Sequence, residues 1–172
     1  MTPLDAATLR RFVELAGERL AGDWILIGGA VLTLLGVEHR STVDIDIVGP
    51  DEAANAQTMV LMDIAADLDL PVESVNQAGG WFLRRIDGWR DERVELHRGR
   101  GATIHLPSAT LYLLLKIERL SETDLADCEE RLRLARRRGE ALDVERILAR
   151  LDELDAERPN ARRERLRSRL SS

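Results

Sequence analysis

The sequence predicts an α/β (α+β) fold: a mixed unit of about a hundred residues, then a run of helices. Three observations lead there. Trp24-Ile25-Leu26-Ile27 is a short apolar run closed by Gly28-Gly29, the mark of a buried strand and a turn. Val43 to Val48 alternates apolar residues with Asp44 and Asp46, a second strand closed by Gly49-Pro50. Three successive helical patterns fill residues 107 to 154.

Leu9, Phe12, Val13, Ala16 and Leu20 recur at helical spacing, so residues 5 to 20 read as an amphipathic helix ended by Gly22-Asp23. Ala30 to Leu35 is a short helix stopped by Gly36. Asp51 to Leu68 is a helix with Asp51 as N-cap. Pro71 to Val75 is a short extended piece. Trp81 to Ile86, Arg93 to His97 and Ala102 to Leu106 read as three strands. Turns at Asp87-Gly88 and Gly99-Arg100-Gly101 make them an antiparallel meander. Helices are expected from Pro107-Ser108 to Leu120, from Ser121 to Arg138 and from Leu142 to Leu154. Pro159 breaks the helical pattern, and the arginine-rich last dozen residues read as loosely ordered. The expected organisation is a core over residues 1–106 with a helical region, 107–172, packed on it.

Composition narrows the class. Hydrophobic residues make up 44% of the 172, enough for a packed core. The longest apolar stretch, Trp24 to Val37, is too short to span a bilayer and is broken by glycines, so no membrane role is expected. The N-terminus lacks a secretory pattern, and the single Cys128 excludes an internal disulfide or a cysteine-based zinc cage. A cytoplasmic protein is expected. The net charge of −6 divides into −11 over residues 1 to 130 and +5 over 131 to 172. A basic tail attracts polyanions such as RNA; a solvated helix surface of mixed charge is the other reading. Lys116 is the only lysine beside 24 arginines.

Alternation places Val43, Ile45 and Ile47 on one face of their strand and Asp44 and Asp46 on the other, their Cα atoms roughly 6–7 Å apart. Two like charges so close repel unless a cation lies between them. A hard divalent cation suits the pair, magnesium above all where phosphates complete the shell, with manganese as the substitute. A strand, Gly28-Gly29 and a helix start form an arrangement that can cradle phosphate, and equally an ordinary tight turn. Asp44 follows Gly29 by 15 positions. An anion cradle beside a cation site is what a magnesium-bearing nucleoside triphosphate (NTP) requires.

Gly28, Gly29, Arg40, Thr42, Asp44 and Asp46 form a pattern of two glycines, a short helix and Arg-x-Thr-x-Asp-hydrophobic-Asp. It resembles the signature of the polymerase-beta-like nucleotidyltransferase superfamily. The Arg-x-Thr feature is similar to the AbiEii-type abortive-infection toxin branch. The resemblance spans residues 24 to 130. It implies a mixed sheet flanked by helices, magnesium dependence, an NTP substrate, and a tRNA or protein hydroxyl as acceptor, in a toxin role with an antitoxin partner. That branch carries a later lysine followed by Asp-x-x-Asp, matched here by Lys116, Asp124 and Asp127, although Thr123 stands where the branch often has a basic residue. The superfamily also adds a third carboxylate. Glu95 is the candidate, with an ordinary solvent-face glutamate as its other reading. Lys116 and Arg40 either bind phosphate or serve local needs: Lys116 snorkels and Arg40 pairs with an acid. Thr42 bonds ligand or backbone. Asp124 and Asp127 share a helical face and could hold Lys116 or Arg119. Trp81 and Trp89 are read as core residues, with base stacking as the alternative.

The expected activity is therefore magnesium-dependent transfer of a nucleoside monophosphate from an NTP to a hydroxyl. The alternative is a catalytically inactive protein of the same fold that binds nucleotide, RNA or a partner. A third reading is an RNA-binding helical module using the arginine-rich tail.

Overall fold

The computed structural model describes residues 3–37, 42–50 and 55–172. Arg40 and the expected N-cap Asp51 lie outside these residues. The chain divides into two units, one of residues 1–85 with 93–107, the other of 86–92 with 108–172.

The first unit is built on five strands: β1 (Gly22–Ile27), β2 (Ile45–Val48), β3 (Val75–Asn76), β4 (Arg93–Arg98) and β5 (Ala102–Pro107). Their order is β3-β2-β1-β5-β4. β1 runs antiparallel to β2, with Ile27 opposite Asp46, and parallel to β5. β2 and β3 are parallel, and Asn76 pairs with Asp46. The sheet is thus mixed, as expected. Trp24, Leu26, Ile45, Ile47 and Ile104 are fully buried, which accounts for their choice as β-formers at alternate positions. Helix α1 (Ala6–Arg19) is capped by Asp5, whose carboxylate accepts from the Thr8 amide at 2.7 Å. It buries Leu9, Phe12, Val13 and Ala16. The Leu4 amide just before it donates to the Thr42 carbonyl at 2.7 Å, tying the chain start to the approach of β2. α2 (Gly29–Leu34) and α3 (Asn55–Asp67) also flank the sheet.

Three expectations in this unit are corrected, the first being Pro71 to Val75, where Val72–Ser74 form a 3-10 turn before β3 instead of an extended piece. Residues Gly80–Arg84 form a short helix, α4, instead of a strand. Aromatic β-propensity at Trp81 and Phe82 suggests extension, but of Trp81, Phe82 and Leu83 only the leucine is buried. The Arg85 guanidinium lies 4.5 Å from the Trp81 ring centroid, a contact at helical i,i+4 spacing. The meander therefore reduces to the β4–β5 hairpin. Within it, alternation directs Val94 and Leu96 to the core, yet both are exposed. β4 is an edge strand, and a bulge at Leu96 breaks its alternation: Glu95 faces His105, whereas His97 faces Ile104. His97 is turned onto α1, where a Cβ on Gly17 would lie 2.6 Å from its Cδ2.

The second unit contains α5 (Ala109–Ile117), α6 (Glu122–Arg138), α7 (Val144–Glu157) and α8 (Ala161–Leu170). It includes Ile86–Glu92, because Glu92 accepts from Ser108 and from Arg146, and Arg146 also donates to the Asp87 carbonyl. Tyr112, Leu113, Ile117, Leu125, Ile147, Leu151 and Leu166 form its core. Trp89 is buried as expected.

The loosely ordered tail is also corrected, since residues 161–170 are helical. Arg163 is only 5% exposed and donates to the carbonyls of Ile117, Glu118 and Arg158 and to Asp155. Arg167 bridges Asp152 and Asp155, while Arg165 and Arg169 share Glu129. The positive charge of this segment is therefore largely spent inside its own unit. Truncation in Arg163→Ala leaves these acceptors without their donor and is expected to cost ~2–3 kcal/mol, read as a lower denaturant midpoint. An unchanged midpoint would show that α8 does not depend on this anchor.

Candidate functional site

The double glycine and the aspartate pair meet where β1 ends and β2 begins. Gly28 has φ +74° and ψ −156°, a backbone region essentially restricted to glycine. A Cβ at Gly28 would lie 2.4 Å from Oδ2 of Asp46, inside contact distance. A Cβ at Gly29 would lie 3.1 Å from Oγ1 of Thr42. The two glycines thus let the backbone press directly against the Thr42–Asp46 segment. The β1–β2 register makes this necessary, because Ile27, the residue before Gly28, is paired with Asp46.

The strand then sorts its side chains as alternation requires. Ile45 and Ile47 are fully buried, while Asp44 and Asp46 are partly exposed. Thr42 accounts for the local shape before the strand. Its hydroxyl donates to the Asp44 carbonyl at 3.0 Å and accepts from the Asp44 amide at 3.4 Å. Through these backbone bonds Thr42 shapes the turn that delivers Asp44.

Gly28→Ala is expected to destabilise by ~1–3 kcal/mol, since the backbone conformation is strained for any L side chain. It should also displace the Asp46 carboxylate. Thermal unfolding of the variant checks the first effect. A melting temperature equal to wild type would contradict the geometry.

The remaining predicted residues are not all brought to this point. Glu95 sits on β4, separated from β2 by β1 and β5. Three interstrand steps amount to roughly 14 Å, whereas a cation touches its carboxylate ligands at about 2.0–2.6 Å. One ion on the Asp44–Asp46 pair does not reach Glu95 from there. Glu95 instead accepts from Arg98, which holds its carboxylate below the usual range. Among the described residues no group of three or more His, Cys, Asp and Glu is arranged to hold a metal ion. A cation bound by the aspartates would thus take its other ligands from phosphate or water, as magnesium commonly does.

Lys116, on α5, is held between two buried carboxylates of α6. Its Nζ lies 3.0 Å from Oδ1 of Asp124 and 3.1 Å from Oδ2 of Asp127. Asp124 is fully buried and forms a capping box with Ser121, accepting from that residue's amide and hydroxyl. Arg119 adds two further bonds at 2.7 and 2.8 Å. Burial alone would raise the Asp124 pKa. The hydrogen bonds from Arg119 and Ser121 and the charge of Lys116 outweigh it and hold the carboxyl well below its ordinary value. Lys116, Asp124 and Asp127 therefore form an ion-pair hub that fastens α5 to α6. Asp124 thus holds both Lys116 and Arg119, and Asp127 holds Lys116.

The other reactive side chains have structural settings. His105 Nδ1 is 3.1 Å from the Trp24 carbonyl. Burial pushes the Cys128 thiol up, which removes it as a nucleophile.

Trp81, expected in the core, is instead at the surface beside Phe82. Both are exposed, and their rings meet edge-to-face with centroids 4.9 Å apart. The sequence does carry a signal: Gly79-Gly80 opens α4, and Trp81 and Arg85 stand four residues apart.

No helix among the described residues is long and apolar enough to cross a membrane. No curated protein and no solved structure matches the chain. A family model covers most of it, however, including the glycines, the aspartate pair and the ion-pair hub. The chain belongs to the family described as nucleotidyltransferase of unknown function (DUF6036), which matches residues 7–165.

Proposed function

We propose that the protein is a magnesium-dependent nucleotidyltransferase of the polymerase-beta-like type, moving a nucleoside monophosphate from an NTP to a hydroxyl acceptor. The observation that carries this reading is the contact of Gly28 with the Asp46 carboxylate, which sets a glycine turn against an aspartate pair in a chain of a nucleotidyltransferase family. Asp44 and Asp46 would hold the ion, manganese serving as a substitute. Bound magnesium would neutralise charge on the phosphate oxygens. Gly28 and Gly29 would receive the phosphates through their amides. Thr42 would keep Asp44 in place through the turn it already forms. The acceptor oxygen bonds to the α-phosphorus as the bond to pyrophosphate breaks, and the hydroxyl proton is released. Rate enhancement then comes chiefly from positioning and electrostatics.

Transfer RNA is the acceptor of choice in a toxin role, with a protein hydroxyl as the second option and an antitoxin as the natural partner. The test is incubation of purified protein with each NTP labelled at the α-phosphate, magnesium, and tRNA or protein acceptors. Label should enter an acceptor. Equal incorporation by the Asp44→Ala, Asp46→Ala double variant would refute the assignment of the site.

The position of Glu95 favours a second reading, a nucleotide-binding protein without turnover, since this expected third carboxylate is not beside the pair. Calorimetry separates the two. Magnesium–nucleotide binding with no label transfer to any acceptor supports the second.

A further inference from the structure

The Trp81–Phe82 pair lies close to the aspartate site, and the contacts of α4 show how. A Cβ on Gly79 would lie 2.3 Å from Cδ1 of Ile27, the strand partner of Asp46. A Cβ on Gly80 would lie 3.2 Å from Cγ1 of Val48, two residues beyond Asp46 and on the same side of β2. The chain reaches this point directly from Asn76, the β3 partner of Asp46. α4 therefore starts on the sheet face that carries Asp46, with the next two residues, Trp81 and Phe82, facing solvent.

These aromatics are poorly explained as packing. Trp81 is 60% exposed and Phe82 50%, while Trp24 and Trp89 are buried. Trp81 is nonetheless held: the Arg85 guanidinium stacks on its ring, and Phe82 stands at 87° to it. The result is a braced aromatic surface flanked by Arg84 and Arg85. A partner's broad apolar face would have to bury those guanidinium groups. A single flat π-system asks for less buried area and gains from stacking on aromatic and guanidinium planes alike.

We infer that Trp81 and Phe82 form the platform on which the nucleobase of the donor NTP stacks while its phosphates occupy the Gly28–Asp46 site. This rests on the reading of that site as NTP-binding. Stacking is tolerant of base identity, so the platform supplies affinity for any nucleoside while its selectivity is modest.

The test is calorimetric titration of the full chain with each of the four NTPs and with inorganic tripolyphosphate, all with magnesium. Trp81→Ala should weaken NTP binding about tenfold and leave tripolyphosphate binding unchanged. Trp81→Phe, which keeps a ring, should recover most of the affinity. Circular dichroism confirms that each variant is folded, as the exposure of Trp81 implies. NTP binding that needs Asp46 but is equal in wild type and Trp81→Ala overturns the platform and leaves the site reading intact. A wild-type protein that binds neither NTP nor tripolyphosphate overturns both. Quenching of tryptophan fluorescence by single-stranded RNA, and by none of the NTPs, also overturns the inference, because the aromatics then serve an acceptor.

Discussion

Asp46→Asn is expected to lower nucleotide transfer by about three orders of magnitude while leaving the protein folded, because on the proposed mechanism a metal held at the phosphates would contribute several kcal/mol to the transition state. The size stems from where Asp46 sits. Among the described residues it is the one carboxylate that is both in the β1–β2 register and in contact with the glycine turn. Replacing one carboxylate oxygen by an amide nitrogen preserves the shape against Gly28 but removes half the charge of the pair. Asp44→Asn should lose activity to a similar degree, and the double variant only slightly more, since on the proposed mechanism the two would hold one ion. Transfer kinetics beside circular dichroism check this. Activity within tenfold of wild type in either single variant would remove the pair from the chemistry.

Asp124→Ala is expected to be the most destabilising single change considered, costing about 3–5 kcal/mol. It takes away the capping box of α6, both bonds from Arg119 and one of the two carboxylates around Lys116, all at a fully buried position. The pH dependence has a definite sign. The carboxyl is depressed from 3.8 in the folded state, so its contribution is present above that value and is lost as pH falls below it. Asp124→Asn should therefore flatten the acid limb of the stability profile. Lys116→Met separates the two readings of that lysine. As the cation of a buried hub it should lower the denaturant midpoint substantially; as a phosphate ligand it would lower NTP affinity and leave the midpoint unchanged.

The parts of the fold that are legible in the sequence are those governed by local rules. Strand alternation at Ile45-Asp46-Ile47, glycine punctuation at Gly28 and Gly36, and the Ser121 and Ser108 caps each depend on a few adjacent residues. Asp44, Asp46, Gly28, Gly29 and Thr42 stand out in this way, and the fold brings them together. The features that local patterns misplace depend on distant partners. Trp81-Phe82 looks extended by propensity, yet it lies in α4 with Arg85 stacked on Trp81 one turn on. Val94 and Leu96 look buried, yet the sheet order leaves β4 at the edge. Glu95 is singled out by its place between Val94 and Leu96, but strand order lies outside any local pattern, and β1 and β5 separate it from the aspartates. The arginines of α8 look like a solvated basic tail, and their acidic partners at Glu129, Asp152 and Asp155 appear only once the helices pair.

The position of the label in the product tests the central claim most directly. The protein, magnesium, an acceptor and one NTP are combined in parallel reactions labelled at the α- or the γ-phosphate. Nucleotidyl transfer at the Gly28–Asp46 site predicts that the α-label enters the acceptor, with one pyrophosphate released per transfer carrying the γ-label. Entry of the γ-label into the acceptor, or of neither label with every NTP and acceptor, would contradict it.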